Sequence, residues 1–222
     1  MIFSKYKKTK FVAGFLRPEE VVLGAQNTLE ASKKFVAPRK IDTRDRCIQS
    51  SNQQQTPHCA GYSTAGYIEV RNWKKLHYPE QVDGDAIYVK AKEFDSYAGD
   101  GTSLSCAVRG AIALGLIKGT EKYVAPTVND IKFAMHEYDV CIAGFMITSD
   151  WNSVDKRTGV IRNSGNRAKK LGGHAVLLCG YNKHGVYIQN SWGTDWGLHG
   201  FALLGWEQVN DQFMSGMVVI EK

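Results

Sequence analysis

The spacing of apolar residues changes near the middle of the chain. From residue 18 to residue 138 they recur at helical intervals. Pro18 suits a first helical position, and Val21, Val22, Leu29 and Phe35 follow in a helix-compatible stretch. Residues 57–76 place Tyr62, Ala65, Ile68, Trp73 and Leu76 near one face. A third helix is expected from Asp85 to Tyr97, closed by Gly99, and a fourth from Leu104 to Ile117, ending at Gly119. Thr127-Val128-Asn129-Asp130 reads as a capping-box-like start for a fifth, with Ile131, Ala134, Met135 and Tyr138 on its inner face.

After Val140 the runs become short, β-branched or aromatic, and are separated by Gly, Asn and Asp. Strands are expected at Val140–Ile147, His174–Tyr181, Val186–Asn190, Phe201–Leu204 and Met217–Ile220. The polar, basic stretch 150–172 reads as a long loop, and such loops tend to be functional. Helices first and strands afterwards imply an α+β fold, with two lobes and a cleft between them.

Composition narrows the class. With 222 residues, 43% of them hydrophobic, the chain can bury a real core, which excludes disorder as its main state. No apolar run is long enough to span a bilayer. The basic start is followed by an apolar stretch, Phe11–Leu16, too short for a signal sequence. Cys47, Cys59, Cys106, Cys141 and Cys179 form no CxxC pair, and no glycosylation sequon occurs. A reducing, cytoplasmic setting is therefore expected. The net charge of +6 is modest, and no stripe of Lys/Arg with interleaved aromatics marks a nucleic-acid groove.

Four segments carry candidate chemistry. In Thr56-Pro57-His58-Cys59, Thr56 is a good N-cap and Pro57 a good first helical residue, which puts Cys59 in a first turn. Unpaired N–H groups and the helix dipole there favour a thiolate. Taken alone, a packing cysteine is the plainer reading. His174 follows Gly172-Gly173 and reads as either a core histidine or a base exposed at a strand start. Asn190 ends a strand before Ser191-Trp192-Gly193-Thr194-Asp195-Trp196-Gly197, an ordinary Asx turn unless its two tryptophans shield something. Gln53, in a Gln53-Gln54-Gln55 loop, is either solvated or folds back toward Cys59. Together Cys59, His174, Asn190 and Gln53 supply a nucleophile, a base, an orienter and an oxyanion donor.

On these residues the chain resembles the papain-like cysteine peptidases, the family that includes the cathepsins. The likeness runs from about Ile41 to the C-terminus. It is strongest from His174-Ala175-Val176 through Asn190-Ser191-Trp192-Gly193 to Gly200-Phe201. It implies a helical N-terminal lobe, about 41–138, carrying Cys59. An antiparallel, β-barrel-like C-terminal lobe, about 139–222, would carry His174 and Asn190. Residues 1–40 read as an N-terminal extension, a short pro-like or packing segment, whose apolar Phe11–Leu16 and Val21–Leu23 would be buried on the catalytic body, either over part of the cleft or away from it. The resemblance implies a cysteine-type endopeptidase. Thiolate Cys59 would attack a peptide carbonyl, imidazolium His174 would protonate the leaving amine, and water would hydrolyse the thioester. Asn190 would orient His174 through its side-chain carbonyl under the cover of Trp192. Gln53 and the Cys59 N–H would form the oxyanion hole. Gly101 and Thr102, in Gly99-Asp100-Gly101-Thr102-Ser103, would bind substrate backbone. Ala143 and Gly173, with Gly172 and Ala175, would line a roomy S2 pocket. The expectation is a monomer acting on protein or peptide, with no cofactor, metal, nucleic-acid or membrane partner.

The sequence departs from the family pattern beside the nucleophile. Pro57-His58 stand where Gly-Ser is usual, Ala60 where Trp is usual, and Thr56 where the first cysteine of a disulfide is usual. His58 has no evident role. Two other readings therefore stay open: a catalytically inactive peptide-binding or structural protein, and an acyl transferase, amidase or isopeptidase on the same fold. A metal site built from His58, Cys59 and His174 matches no zinc spacing.

Overall fold

The computed structural model describes residues 28–78 and 80–220. Among these residues the five α-helices are α1 (Cys59–Leu76), α2 (Gly84–Ala91), α3 (Leu104–Ala113), α4 (Val128–Tyr138) and α5 (Trp206–Gln212). Eight strands are β1 (Thr28–Leu29), β2 (Ile41–Asp42), β3 (Thr120–Val124), β4 (Cys141–Thr148), β5 (Lys170–Tyr181), β6 (Gly185–Gln189), β7 (Phe201–Gly205) and β8 (Phe213–Ile220). The helix expected from Pro18 falls largely outside the described residues, and what is described beyond them, from Thr28 onward, is β1 followed by turns and irregular chain.

Helix α1 is the central pillar. Its first twelve residues are small or apolar on nearly every side, and all but Tyr62 are buried. Such all-round burial is how a helix inside a core differs from one on a surface. Gly61 and Gly84 let α1 and α2 touch: a Cβ at Gly61 would collide with the Gly84 carbonyl, and one at Gly84 would lie 2.8 Å from Tyr62 Cγ. On the opposite side Gly66 faces Leu177 of β5, where a Cβ would lie 3.3 Å from Leu177 Cδ2. Farther along, the Tyr67 hydroxyl accepts from the Val219 N–H at 3.0 Å and lies 3.2 Å from the Val219 carbonyl, tying α1 to β8. His77, at φ 58°, ends the helix by donating its N–H to Trp73 O at 2.8 Å.

The strands run in the order β1-β3-β8-β4-β5-β6-β7, with β2 paired to β5. Only β1–β3 is parallel. The described strands make an open sheet, which corrects the barrel-like lobe expected from sequence: β7 and β1 end the path without meeting. Residues 28–40 pack on this lobe. Thr28 and Leu29 pair with β3, the Ala31 N–H donates to Asp130 Oδ1 at 2.7 Å, and Tyr181 donates to the Pro38 carbonyl at 3.1 Å.

Several boundaries moved for physical reasons. Helix α1 begins at Cys59 with His58 as its cap residue, not at Pro57 with Thr56. The Thr56 hydroxyl is engaged elsewhere, donating to Gln53 O at 2.6 Å. Helix α2 stops at Ala91, followed by a 3-10 turn at Lys92–Phe94, so residues 95–99 are not helical. Thr127 does cap α4, accepting from the Asp130 N–H at 3.1 Å. Strand β5 begins at Lys170, so His174 lies inside it rather than at its start. Gly172 and Gly173 pair with Ile147 and Met146. Within 150–172 the chain makes short helical turns at Ser149–Asn152 and Gly165–Arg167 and a bridge between Val154 and Ile161.

Candidate active site

Cys59 is the first residue of α1 and is fully buried. In that first turn the backbone N–H groups lack intrahelical partners, and the positive end of the helix dipole faces the sulfur. His174 sits in β5 opposite Phe145 and is also fully buried. Packing of α1 across β5 is what brings the two elements together.

The hydrogen-bond pattern settles the chemistry of Asn190. Its Oδ1 accepts the Ser191 backbone N–H at 2.8 Å, which identifies that atom as the amide oxygen. The same atom lies 2.7 Å from His174 Nε2. An oxygen can only accept, so Nε2 carries the proton. A neutral His174 then has Nδ1 as its basic nitrogen. Burial lowers the imidazole pKa to about 4, against the pull of the Asn190 bond, which favours the charged ring.

Two tryptophans flank that imidazole, and a third backs them. The Trp192 ring lies 4.8 Å from it at 31°, and Trp151 meets it edge-on at 6.2 Å. Trp196 packs against both tryptophans and donates its Nε1–H to Trp151 O at 2.8 Å. Trp151 is itself fully buried and donates to Gln212 Oε1 at 2.9 Å. Of the two turn tryptophans, Trp192 lies against the His174 ring and Trp196 backs it. Trp151 was not singled out in the sequence because it stands alone in a polar stretch.

The segment before Cys59 is laced to the segment around Asn190. Gln189 Nε2 donates to Ile48 O at 2.6 Å, the Gly193 N–H to Ser51 O at 3.0 Å, and the Gln53 N–H to Ser191 O at 2.8 Å. The Ser50 hydroxyl donates to Asn190 O, and Asn52 bridges to Trp192. Ser191 Oγ donates to Gln53 Oε1 at 2.6 Å, while Gln53 Nε2 donates to Thr56 O at 2.7 Å. Ser191 therefore links the Gln53 amide to the Asn190 amide, a role that sequence reasoning missed. Nothing in its residue type distinguishes it from an ordinary turn serine.

His58 acquires a place. Its Nδ1 lies 2.6 Å from Asp85 Oδ1, and its ring stacks on Tyr88 at 3.7 Å. Tyr62 donates to Asp85 Oδ2 at 3.0 Å, and burial together with that carboxylate raises the phenol to about 12. The second imidazole is thus tied to α2.

The residues expected to bind substrate are less uniformly placed. Trp192 is part-exposed above His174, while Ala143, Gly173 and Thr102 are buried. Ala143 pairs with Val176, and Gly173 with Met146, within the sheet. The Gly101 carbonyl accepts from Lys92 Nζ at 3.0 Å. Among the described residues no group of three His, Cys, Asp or Glu side chains could hold a metal. No described helix is long and apolar enough to cross a membrane.

Comparison with known proteins gives a consistent answer. Over its full length the chain superposes on the cysteine protease xylellain of Xylella fastidiosa with a TM-score of 0.81 at 15% identity, covering 100% of both chains. The proform of the ragweed pollen cysteine protease Amb a 11 gives 0.67 at 15% identity, covering 86% of this chain and 67% of that one. The procathepsin B of Trypanosoma congolense gives 0.66 at 14% identity, covering 88% and 82%. These likenesses establish the fold. An uncharacterized peptidase C1-like protein of Acanthamoeba polyphaga mimivirus is 30% identical over 88 residues, which is 38% of this chain and 28% of that protein's length. The sequence model described as papain family cysteine protease matches residues 86–220, a span that holds His174 and Asn190 and starts after Cys59. On that match and this architecture, the chain belongs to the papain family of cysteine proteases.

Proposed function

We propose that the protein is a cysteine endopeptidase using Cys59 as nucleophile, His174 as base and acid, and Asn190 as orienter. The observation that carries this reading is the Asn190 bond. It commits His174 Nε2 and assigns proton transfer to Nδ1. Burial disfavours an isolated imidazolium, so a charged His174 is stable only beside a thiolate, and the two charges form as a unit. The thiolate attacks the peptide carbonyl, His174 protonates the leaving amine, and water then hydrolyses the thioester. Gln53 Nε2 has a second proton beyond the one given to Thr56, and with the Cys59 N–H it would receive the oxyanion.

Trp192, Gly101 and Thr102 would contact substrate on this reading, with Ala143 and Gly173 behind the S2 region. The substrate is a protein or peptide and the enzyme a monomer. The five free thiols support a reducing, cytoplasmic setting.

Alkylation tests the pair directly. Iodoacetamide should label Cys59 in preference to the other four cysteines, and labelling should persist below about pH 6, where an ordinary thiol is unreactive. Mass spectrometry of the digested protein reads the selectivity. Uniform labelling that rises only above pH 8 would leave Cys59 a packing residue and favour the inactive peptide-binding reading.

A further inference from the structure

Between the 3-10 turn at Lys92–Phe94 and α3 the chain runs without regular structure. One ammonium group organises it. Lys92 Nζ donates to the carbonyls of Tyr97 at 2.9 Å, Gly99 at 2.9 Å and Gly101 at 3.0 Å, and to Asp95 Oδ2 at 3.2 Å. Asp95 returns to the loop by accepting the Tyr97 N–H on Oδ1 at 2.9 Å. Carbonyls four residues apart can both reach one nitrogen only if the chain curls round it, and the chain does bend at Gly99 and Asp100. The intervening Asp100 carbonyl points elsewhere and accepts the Tyr88 hydroxyl. Three loop carbonyls are thus gathered inward on a single cation, and the curled segment is pinned as far as Gly101, beside Thr102.

We infer that Lys92 is a positioning residue for peptide binding, fixing the 95–101 segment so that Gly101–Thr102 present a preformed backbone edge to the substrate. This rests on the proposed reading of Gly101 and Thr102 as the substrate-backbone contact. An extended peptide pairing with such an edge gains main-chain hydrogen bonds only where the edge is already ordered. Disorder there must otherwise be removed on binding, at a cost in affinity. Lysine suits the task because its three N–H donors serve several carbonyls at once. Charge-assisted bonds of this kind are stronger than neutral ones.

The test uses the full-length protein with Cys59→Ala as background, so that binding is read whether or not hydrolysis occurs. Lys92→Met keeps the length of the side chain and removes its donors. It should weaken binding of an extended peptide by about tenfold or more. Lys92→Arg should recover part of the loss. Hydrogen exchange should quicken across 95–101 and stay unchanged in α1 and β5. With Cys59 intact, Lys92→Met should leave the rate of Cys59 alkylation by iodoacetamide unchanged, since that small reagent needs no peptide edge. Unchanged peptide affinity in Lys92→Met would overturn the inference. So would an equal loss of iodoacetamide reactivity, which would mean a general collapse of the site. Absence of Cys59-dependent hydrolysis in the parent protein would instead reject the endopeptidase reading, while the binding comparison would still decide the role of Lys92.

Discussion

Cys59→Ser and His174→Ala each reduce peptide hydrolysis by at least about a thousandfold, measured with an internally quenched peptide. The serine hydroxyl occupies nearly the volume of the thiol, so the buried start of α1 stays packed. An unactivated hydroxyl is a far weaker nucleophile than a thiolate, and burial gives His174 little capacity to hold a proton without a thiolate beside it. Because the two residues act as a unit, the double variant should be no slower than the slower single one. Asn190→Ala should be milder: it leaves both reacting groups in place and removes only the acceptor that fixes the ring. Full hydrolysis by Cys59→Ser would refute the assignment of the nucleophile.

With the thiolate removed by Cys59→Ala, acid destabilises the fold through His174. An ordinary histidine titrates near 6.5, as it does in the unfolded chain, whereas the buried ring titrates at about 4. Between those pH values the unfolded chain takes up a proton that the native state refuses. The contribution is therefore fully present above about pH 6.5 and is lost as pH falls toward 4, on the order of 3 kcal/mol over the whole interval. Urea unfolding of Cys59→Ala between pH 4 and pH 7.5 measures it, with His174→Gln on the same background as comparator. The glutamine variant should show a flatter dependence in this window, and parallel curves would show that the ring titrates normally in the fold. Asp42 acts lower down. Its bonds from Arg44 outweigh burial and bring its carboxyl to about 2, so its contribution is lost only below about pH 4. With Cys59 in place the dependence above pH 4 should be weaker, because a thiolate beside the ring lets the native state hold the proton too.

The separation into a helical first part and a strand-rich second part was legible because the apolar period changes from helical to alternating, and periodicity is the strongest local signal. Cys59 in a first turn, and Asn190 at the end of a strand before a tryptophan-bearing turn, were legible for the same local reasons. The open sheet was not. Its edges depend on the two-residue strand β1 pairing with β3, a contact between residues about ninety positions apart that leaves no period in the sequence. The end of α2 was missed because the apolar pattern runs on through Phe94 and Tyr97. The chain leaves the helix through a 3-10 turn, and one lysine gathers carbonyls from the loop beyond it. His58 looked idle because its partners, Asp85 and Tyr88, lie on the next helix. Ser191 looked generic because its importance comes from joining two amides far apart in the chain.

The stitching of residues 48–53 onto residues 189–193 has a mechanical consequence. Five hydrogen bonds make the two strips one stiff plate across the lobe boundary, so the lobes cannot part at that end. Any widening that admits a bulky polypeptide must therefore pivot about this plate and leave it intact.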